Sequence, residues 1–287
     1  MENRITGHTK LYCLIGSPVG HSGSPAMYNY SFARTGVDGA YLAFDVPLDQ
    51  VGKAIEAIKT FQVKGFNITM PDKTAVMDYL DEISPAARMI GACNTVVVSE
   101  EGKLIGYNTD GRGFTDNLRA HGVEVKGKKL LILGTGGAAN AISIQTALEG
   151  AAEITIFNRR DEFFASGQKI VEKLAGEVPD CRAEMCDQER LAAAVRDSDI
   201  LINATKVGMK PMDGDTLIPA ELLHPGLIVA DTVYNPLETR LLREAKEAGC
   251  QVIGGIGMLL WQGAAAFQLF TGREMPVKEV EERFFAE

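Results

Sequence analysis

One stretch of sequence, residues 129–161, constrains the fold of this chain more than any other. An apolar run leads into the turn Gly134-Thr-Gly-Gly-Ala-Ala139, which has the pattern G-x-G-x-x-A. A helix is predicted after the turn, followed by a second apolar strand that ends at Asn158. A strand, a glycine turn, a helix and a strand in this order predict a βαβ unit.

Each small residue of this turn has a physical use. Gly134 permits a tight turn, Gly136 lets a pyrophosphate approach the backbone, and Ala139 allows the helix to pack closely on the strand. The N-terminus of the helix offers backbone N–H groups and the positive end of the helix dipole. The pattern therefore predicts dinucleotide binding, and a purely structural turn is the alternative.

Predicted strands and helices alternate from residue 129 onward, which is typical of a doubly wound parallel sheet. The earlier part mixes strands and helices with a predicted hairpin, so we expect an α/β fold with two domains that meet after residue 109. No local signal assigns two closing helices, at 257–270 and 277–285, to either domain. The other strands are predicted at 11–16, 41–46, 65–69, 94–98, 104–107, 130–133, 154–157, 182–185, 200–203, 227–231 and 251–253, and the other helices at 25–34, 49–61, 84–90, 110–120, 138–148, 163–174, 188–195 and 236–248.

Composition excludes several classes of protein. The 287 residues carry 29 basic and 38 acidic side chains, a net charge of −9, which argues against a general nucleic-acid or anionic-membrane binder. The five cysteines are scattered and form no C-x-x-C pair, so we expect no metal site, no disulfide framework and a reducing cytoplasm. The N-terminus has no signal-peptide core, and the long uncharged runs are interrupted by polar residues, so no membrane span is predicted.

Each candidate catalytic or binding residue, taken alone, is weak evidence of function. Lys73 follows a strand and a proline, but an isolated lysine is usually a solvated surface residue. Asp110 begins a predicted helix, where an aspartate is commonly an N-cap. Ser22 and Ser24 suit a turn and a helix cap, and Asn94 suits the edge of a strand.

The ordered set of motifs is far more specific than its parts. From Leu11 to Pro276 the chain resembles the shikimate dehydrogenase family, including its quinate/shikimate dehydrogenase branch. The resemblance implies reversible reduction of 3-dehydroshikimate to shikimate with a nicotinamide cofactor, on the route to chorismate and the aromatic amino acids. The motifs are Ser17-Pro-x-x-His-Ser-x-Ser-Pro25, Asn67-Ile-Thr-Met-Pro-Asp-Lys73, Gly91-Ala-Cys-Asn-Thr95, Gly106-Tyr-Asn-Thr-Asp-Gly111, Gly134-Thr-Gly-Gly-Ala-Ala139, Asn158-Arg-Arg, Asn203-Ala-Thr-Lys-Val-Gly-Met209, Asp231-Thr-Val-Tyr-Asn-Pro236 and Gly257-Met-Leu-Leu-Trp-Gln-Gly263.

The same resemblance implies roles for domains and residues. Residues 1–109, completed by C-terminal helices at 256–287, would bind substrate, and residues 110–255 would form a Rossmann-type NAD(P) domain. Lys73 would move the proton on the C3 oxygen with Asp110 as its partner, or stay charged and stabilise developing negative charge. The implied substrate residues are Ser22 and Ser24 at the carboxylate, Thr69, Lys73, Asn94 and Asp110 at the ring hydroxyls, and Tyr234 and Gln262; the implied cofactor residues are Gly134, Gly136, Gly137, Ala138, Asn158, Arg159, Arg160, Asp161, Thr205, Val233 and Gly255.

Several positions depart from the common family pattern. Thr135 replaces the usual alanine, a tolerable change. Asp72 puts an acid beside the candidate lysine, where it either disturbs that lysine or faces solvent. Lys206 and Val207 resemble the quinate/shikimate branch, so activity on quinate is a plausible alternative.

Cofactor choice depends on the end of the βαβ unit. An NAD enzyme often places a carboxylate on the ribose where this chain has the neutral Asn158. Arg159 and Arg160 would bind the 2′-phosphate of NADP, which favours NADP slightly. Asp161 would instead bind the ribose hydroxyls of NAD, or simply cap the next helix.

Two further functions compete with a shikimate dehydrogenase. One is a quinate/shikimate dehydrogenase that uses NAD as well as NADP. The other is a nucleotide-sensing regulator without catalysis, although such a sensor needs neither Lys73 nor Asp110. The expected partners are small molecules (shikimate, 3-dehydroshikimate and quinate) without nucleic acid or membrane, and the family analogy allows a monomer or a homodimer.

Overall fold

The computed structural model describes residues 5–285 and has the predicted α/β fold. The chain forms two compact units. The first holds the described residues up to Thr109 and those from Gln262 onward, and the second is Asp110–Trp261. Each unit contains a six-stranded sheet.

The sheet of the first unit is mixed. Its strand order is β2-β1-β3-β5-β6-β4, in which β1 is parallel to both neighbours and β5 is antiparallel to both of its own. The β5–β6 pair is the predicted hairpin. The elements are β1 (Lys10–Gly16), α1 (Ser24–Thr35), β2 (Gly39–Asp45), α2 (Val51–Thr60), β3 (Gly65–Ile68), β4 (Glu82–Ile83), α3 (Pro85–Ile90), β5 (Thr95–Val98) and β6 (Leu104–Tyr107).

Opposite faces of this sheet have different cores. One face packs on the amphipathic helix α2, which buries Ile55 and Ile58. On the other, aromatic rings pack together, with the ring centroids of Tyr28 and Tyr41 only 4.5 Å apart. Phe267 contacts this aromatic cluster from the second half of α9 (Ile256–Thr271), and α10 (Val277–Phe284) also packs on α1.

The sheet of the second unit is entirely parallel and confirms the predicted doubly wound arrangement. Its order is β12-β11-β10-β7-β8-β9, with β7 and β10 side by side at the centre. The strands β8 and β9 follow on the side of β7, and β11 and β12 follow on the side of β10. Helices on both faces bury the strands, which explains their continuous apolar sequences. The elements are α4 (Asp110–Ala120), β7 (Lys129–Leu133), α5 (Gly137–Leu148), β8 (Glu153–Phe157), α6 (Phe164–Glu177), β9 (Arg182–Cys186), α7 (Leu191–Asp197), β10 (Ile200–Asn203), β11 (Ile228–Asp231), α8 (Arg240–Glu247) and β12 (Gln251–Ile253).

The predicted helix start at residue 236 is wrong, because α8 begins at Arg240. Thr239 caps it, accepting a hydrogen bond from the backbone N–H of Leu242 at 3.3 Å. The Thr239 hydroxyl also donates to Asp231 Oδ2 at 2.7 Å. The contact with the end of β11 therefore places the cap four residues later than Asn235, the cap that the local Asn-Pro signal predicts.

No helix within residues 5–285 is long and apolar enough to cross a membrane. All five cysteines are buried free thiols. Burial raises the pKa of the Cys93 thiol to about 11, so this group stays protonated at neutral pH.

Candidate active site

The glycine turn lies at the point where the parallel sheet reverses its strand order. Gly134 follows β7 with a φ of +104°, which L side chains rarely adopt. A Cβ added there would lie 2.7 Å from Thr205 Cγ2 and 3.1 Å from the carbonyl oxygen of Ala204. Both the dihedral angle and the close approach of the segment after β10 therefore require glycine.

The next residues leave the start of α5 open. A Cβ added to Gly136 or Gly137 meets nothing within 4 Å. No side chain caps α5 and its first turn has no acid, whereas Ala139 is fully buried. Backbone N–H groups at a helix N-terminus suit the pyrophosphate of a dinucleotide. Ala138, which lies in the first turn of α5, is half-buried.

A buried polar cluster holds the segments after β10 and β11. The Thr205 hydroxyl donates to Asn203 Oδ1 at 2.7 Å, and Asn203 Nδ2 donates to Asp231 Oδ1 at 2.9 Å. Asp231 Oδ1 also accepts the N–H of the buried Val233 at 2.9 Å. Burial raises the pKa of the Asp231 carboxyl, and these hydrogen bonds oppose that rise.

Sequence reasoning did not assign this supporting role to Asn203 and Asp231. The available signal was a polar residue at the carboxyl end of each of two adjacent apolar strands. Gly255 packs against the same region, since an added Cβ would lie 2.3 Å from the carbonyl oxygen of Val233. Tyr234, the residue after Val233, is 48% exposed.

The loop after β8 is closed by Asp161. Its Oδ1 accepts hydrogen bonds from Asn158 Nδ2 at 2.8 Å and from the N–H of Phe163 at 2.9 Å. Phe163 is the N-cap of α6, which has no side-chain cap, so Asp161 is not the cap of that helix.

The two arginines of this loop differ. Arg160 Nε donates to Asp187 Oδ2 at 2.8 Å. Arg159 is exposed, and its guanidinium forms no hydrogen bond or ion pair with other residues of the described range 5–285.

In the first unit, the serine loop presents polar groups before α1. The Ser22 hydroxyl oxygen accepts the N–H of Ser24 at 3.2 Å, which leaves its hydrogen able to donate elsewhere. The predicted cap at Ser24 is wrong, because Gly23 is the N-cap and Ser24 already lies within the helix. The hydrogen bond from the Ser24 N–H orients the Ser22 hydroxyl and satisfies the first backbone N–H of α1.

A buried network supports Asn94. Its Oδ1 accepts three hydrogen bonds, from the Thr95 hydroxyl at 2.9 Å and from the Thr109 N–H and hydroxyl at 2.9 and 3.2 Å. Asn67 extends the network, since its Nδ2 donates to Thr95 Oγ1 at 3.0 Å and its Oδ1 accepts from the Tyr41 hydroxyl at 2.7 Å. These hydrogen bonds fix the orientation of the Asn94 amide, with its oxygen directed at Thr95 and Thr109.

Two more predicted substrate residues adjoin this part of the first unit. The Thr109 hydroxyl lies 3.5 Å from Gln262 Oε1, which brings Gln262 to the Asn94 network. Thr69 follows β3, donates its N–H to the carbonyl of Ile15 at 2.9 Å and is half-buried. Asp110, half-buried, is the first residue of α4 and belongs to the second unit.

Lys73 lies on the loop after β3 and is half-buried. Its carbonyl accepts the N–H of Cys93 at 2.8 Å, which anchors the backbone of the loop. The neighbouring Asp72 is 0% exposed, so the alternative that this residue faces solvent is wrong. Its carboxylate oxygens find no hydrogen-bond partner in the described part of the chain, and burial raises the pKa of this carboxyl.

Within the described residues, no group of three or more histidine, cysteine or acidic side chains is arranged to hold a metal ion. The polar groups of the candidate residues are instead hydroxyls, amides and a lysine in the first unit and backbone N–H groups in the second. This set suits a polyhydroxylated carboxylic acid and a dinucleotide.

Comparisons with known proteins point to one family. A family profile described as the shikimate dehydrogenase substrate binding domain matches residues 14–96. A second, described as the shikimate 5'-dehydrogenase C-terminal domain, matches residues 255–283.

Whole-chain similarities agree with these profiles. A shikimate dehydrogenase (NADP(+)) from Listeria monocytogenes is 48% identical over 289 residues, covering 99% of this chain and 99% of the relative. A quinate/shikimate dehydrogenase from Escherichia coli is 44% identical over 282 residues, covering 97% of each. The crystal structure of shikimate 5-dehydrogenase from Listeria monocytogenes in complex with shikimate and NAD has a TM-score of 0.96, with 48% identity and 99% coverage of both chains.

Proposed function

Because this chain belongs to the shikimate dehydrogenase family, we propose that it reduces 3-dehydroshikimate reversibly to shikimate, using NADP or NAD. The observation that carries the proposal is the 48% identity to a shikimate dehydrogenase over 99% of both chains. The reaction would be a step on the route to chorismate and the aromatic amino acids.

The first unit would bind the substrate. Ser22 and Ser24 would donate to its carboxylate, a role supported by the hydrogen bond that orients Ser22. Thr69, Asn94 and Gln262 would hold the ring hydroxyls, and the network around Asn94 supports a fixed amide at that position.

The second unit would bind the cofactor. Backbone N–H groups from Gly136 to Ala138 would hold the pyrophosphate, and the open space around the glycines fits that group. Thr205, Val233 and Gly255 would line the nicotinamide end, next to the switch point of the sheet. When bound, the nicotinamide supplies the hydride acceptor or donor.

Lys73 would carry the proton that must move on the C3 oxygen. Its backbone is anchored by Cys93 and its side chain is half-buried, both of which favour a positioned group over a mobile one. Asp110 would act as its charge partner, and Tyr234 would complete the substrate contacts.

The setting of the proposed enzyme follows from its surface and its thiols. Five free buried cysteines support a reducing cytoplasm. The net charge of −9 supports small-molecule partners without nucleic acid or membrane. We propose a monomer or homodimer, which light scattering of the purified protein distinguishes.

Quinate is a second candidate substrate. The 44% identity to a quinate/shikimate dehydrogenase favours it, as do Lys206 and Val207 in the segment after β10. The decisive assay offers shikimate and quinate, each with NAD⁺ and NADP⁺, and follows absorbance at 340 nm. We expect a rise with shikimate, whereas no rise in any combination would favour a non-catalytic nucleotide sensor.

A further inference from the structure

Arg160 is engaged by an acid from the neighbouring strand. It lies in the loop after β8, where a Rossmann domain places the adenosine ribose of its cofactor. Its Nε donates to Asp187 Oδ2 at 2.8 Å, and its guanidinium lies 5.7 Å from the centre of the Phe164 ring. The two contacts hold this cation toward the end of β9.

Asp187 is positioned as a fixed anion. Its side chain is only 12% exposed, compared with 77% for Arg160, and its Oδ1 accepts the N–H of Glu189 at 3.2 Å. The hydrogen bond from Arg160 holds the pKa of this carboxyl below its usual value. Asp187 is therefore ionised at neutral pH, when the enzyme would meet its cofactor.

Two neighbouring charged residues, Arg159 and Asp161, make the Arg160–Asp187 pair important for the choice between NAD and NADP. Arg159 has no ion pair within residues 5–285, whereas the Asp161 carboxylate is fixed in the same loop by Asn158 and by the Phe163 N–H. A 2′-phosphate arriving here would meet one available arginine, one engaged arginine and a fixed carboxylate. The balance between NAD and NADP therefore depends on how firmly Arg160 is held.

We propose that Asp187 is a specificity-determining residue that withholds Arg160 from the 2′-phosphate of NADP. The proposal rests on the proposed dehydrogenase function, because it concerns the cofactor of that reaction. Asp187 acts through Arg160 and touches neither substrate nor the reacting atoms. Its effect should therefore fall on the choice of cofactor and spare the chemical step.

The test measures the dissociation constants of NAD⁺ and NADP⁺ by calorimetry. Asp187→Asn keeps an oxygen for the Glu189 N–H but removes the charge that holds Arg160. We expect NADP⁺ to bind about tenfold more tightly, with NAD⁺ changed less than about twofold, because a released guanidinium forms charge-assisted hydrogen bonds with phosphate. Arg160→Gln alone should change neither constant, and the double variant should lose the gain.

Other outcomes overturn the proposal in distinguishable ways. Weaker NADP⁺ binding by Asp187→Asn would mean that Asp187 positions Arg160 on the phosphate. An equal change for both cofactors would mean a structural role. If circular dichroism shows that Asp187→Asn does not fold, the NADP⁺ affinity of Arg160→Gln tests the proposal alone. A tenfold loss of NADP⁺ affinity in Arg160→Gln would contradict the proposal, and an unchanged affinity would support it. A wild-type protein that binds neither cofactor would overturn the proposed function itself.

Discussion

The two units use six-stranded sheets in different ways. The parallel sheet of the second unit presents backbone N–H groups at an open glycine turn, so its candidate site depends on main-chain geometry. The mixed sheet of the first unit presents side chains, and a buried network runs beneath them from Tyr41 through Asn67 and Asn94 to Thr109. Recognition in the first unit should thus be sensitive to side-chain identity, and recognition in the second to added volume.

The largest expected effect comes from a side chain of the first unit. We expect Lys73→Ala to lower kcat for shikimate about 10²–10⁴-fold with little change in KM, because a positioned acid–base group acts mainly in the transition state. Steady-state kinetics provide the measurement. Lys64→Ala, an exposed lysine just before β3, is the matched control. A Lys73→Ala enzyme with near-normal kcat would exclude this lysine from the chemistry.

The supporting network should contribute to stability. We expect Asn67→Ala to lower the free energy of unfolding by about 2–3 kcal/mol, since it leaves the buried Tyr41 hydroxyl without its acceptor. Urea unfolding followed by circular dichroism measures the change. In the double variant, Tyr41→Phe removes the hydroxyl that Asn67→Ala leaves without an acceptor. The double variant should therefore lose about 1 kcal/mol less stability than the sum of the losses of the two single variants. Full additivity would argue against coupling through this hydrogen bond.

The second unit should respond to volume at the glycine turn. Gly136 has a φ of −76° and open space around it, so Gly136→Ala should fold normally. We nevertheless expect its cofactor dissociation constant to rise about tenfold, because a methyl group occupies the approach of the pyrophosphate. Calorimetry with NADP⁺ checks this. Gly214→Ala, also in open space, should bind like the wild type; unchanged binding by Gly136→Ala would place the pyrophosphate elsewhere.

The smallest effect concerns the buried acid beside Lys73. Burial raises the folded-state pKa of Asp72 above the ordinary value of 3.8, so the unfolded chain loses this proton first as pH rises. The stability that protonated Asp72 allows is therefore lost from about pH 4 upward through the folded-state pKa.

Asp72→Asn should remove this pH dependence. We expect the urea midpoint of this variant, relative to that of the wild type, to be higher at neutral pH than near pH 4. The corresponding shift in melting temperature should be about a few degrees. Asp78→Asn, at an exposed position nearby, is the control. An identical difference at both pH values would show that Asp72 does not titrate differently in the folded protein.

Local sequence predicted the elements that depend on short-range pattern. The amphipathic α2, the β5–β6 hairpin and the alternation of strands and helices after residue 129 are all present. Predictions that failed depended on distant partners. Pro236 does not start a helix because Thr239 is held by Asp231, and Asp72 is buried although its sequence neighbours gave no sign of it.

Sequence alone therefore determined the type of each unit, because apolar periodicity and the glycine turn are local properties of the chain. Its ordered motifs also identified the family. Only the tertiary structure decided how the polar groups are used: that the Asn94 amide oxygen accepts from Thr109, that Asp161 closes a loop, and that Arg160 is held by Asp187. Each of these depends on hydrogen bonds between residues from different elements, and their geometry exists only after those elements have packed.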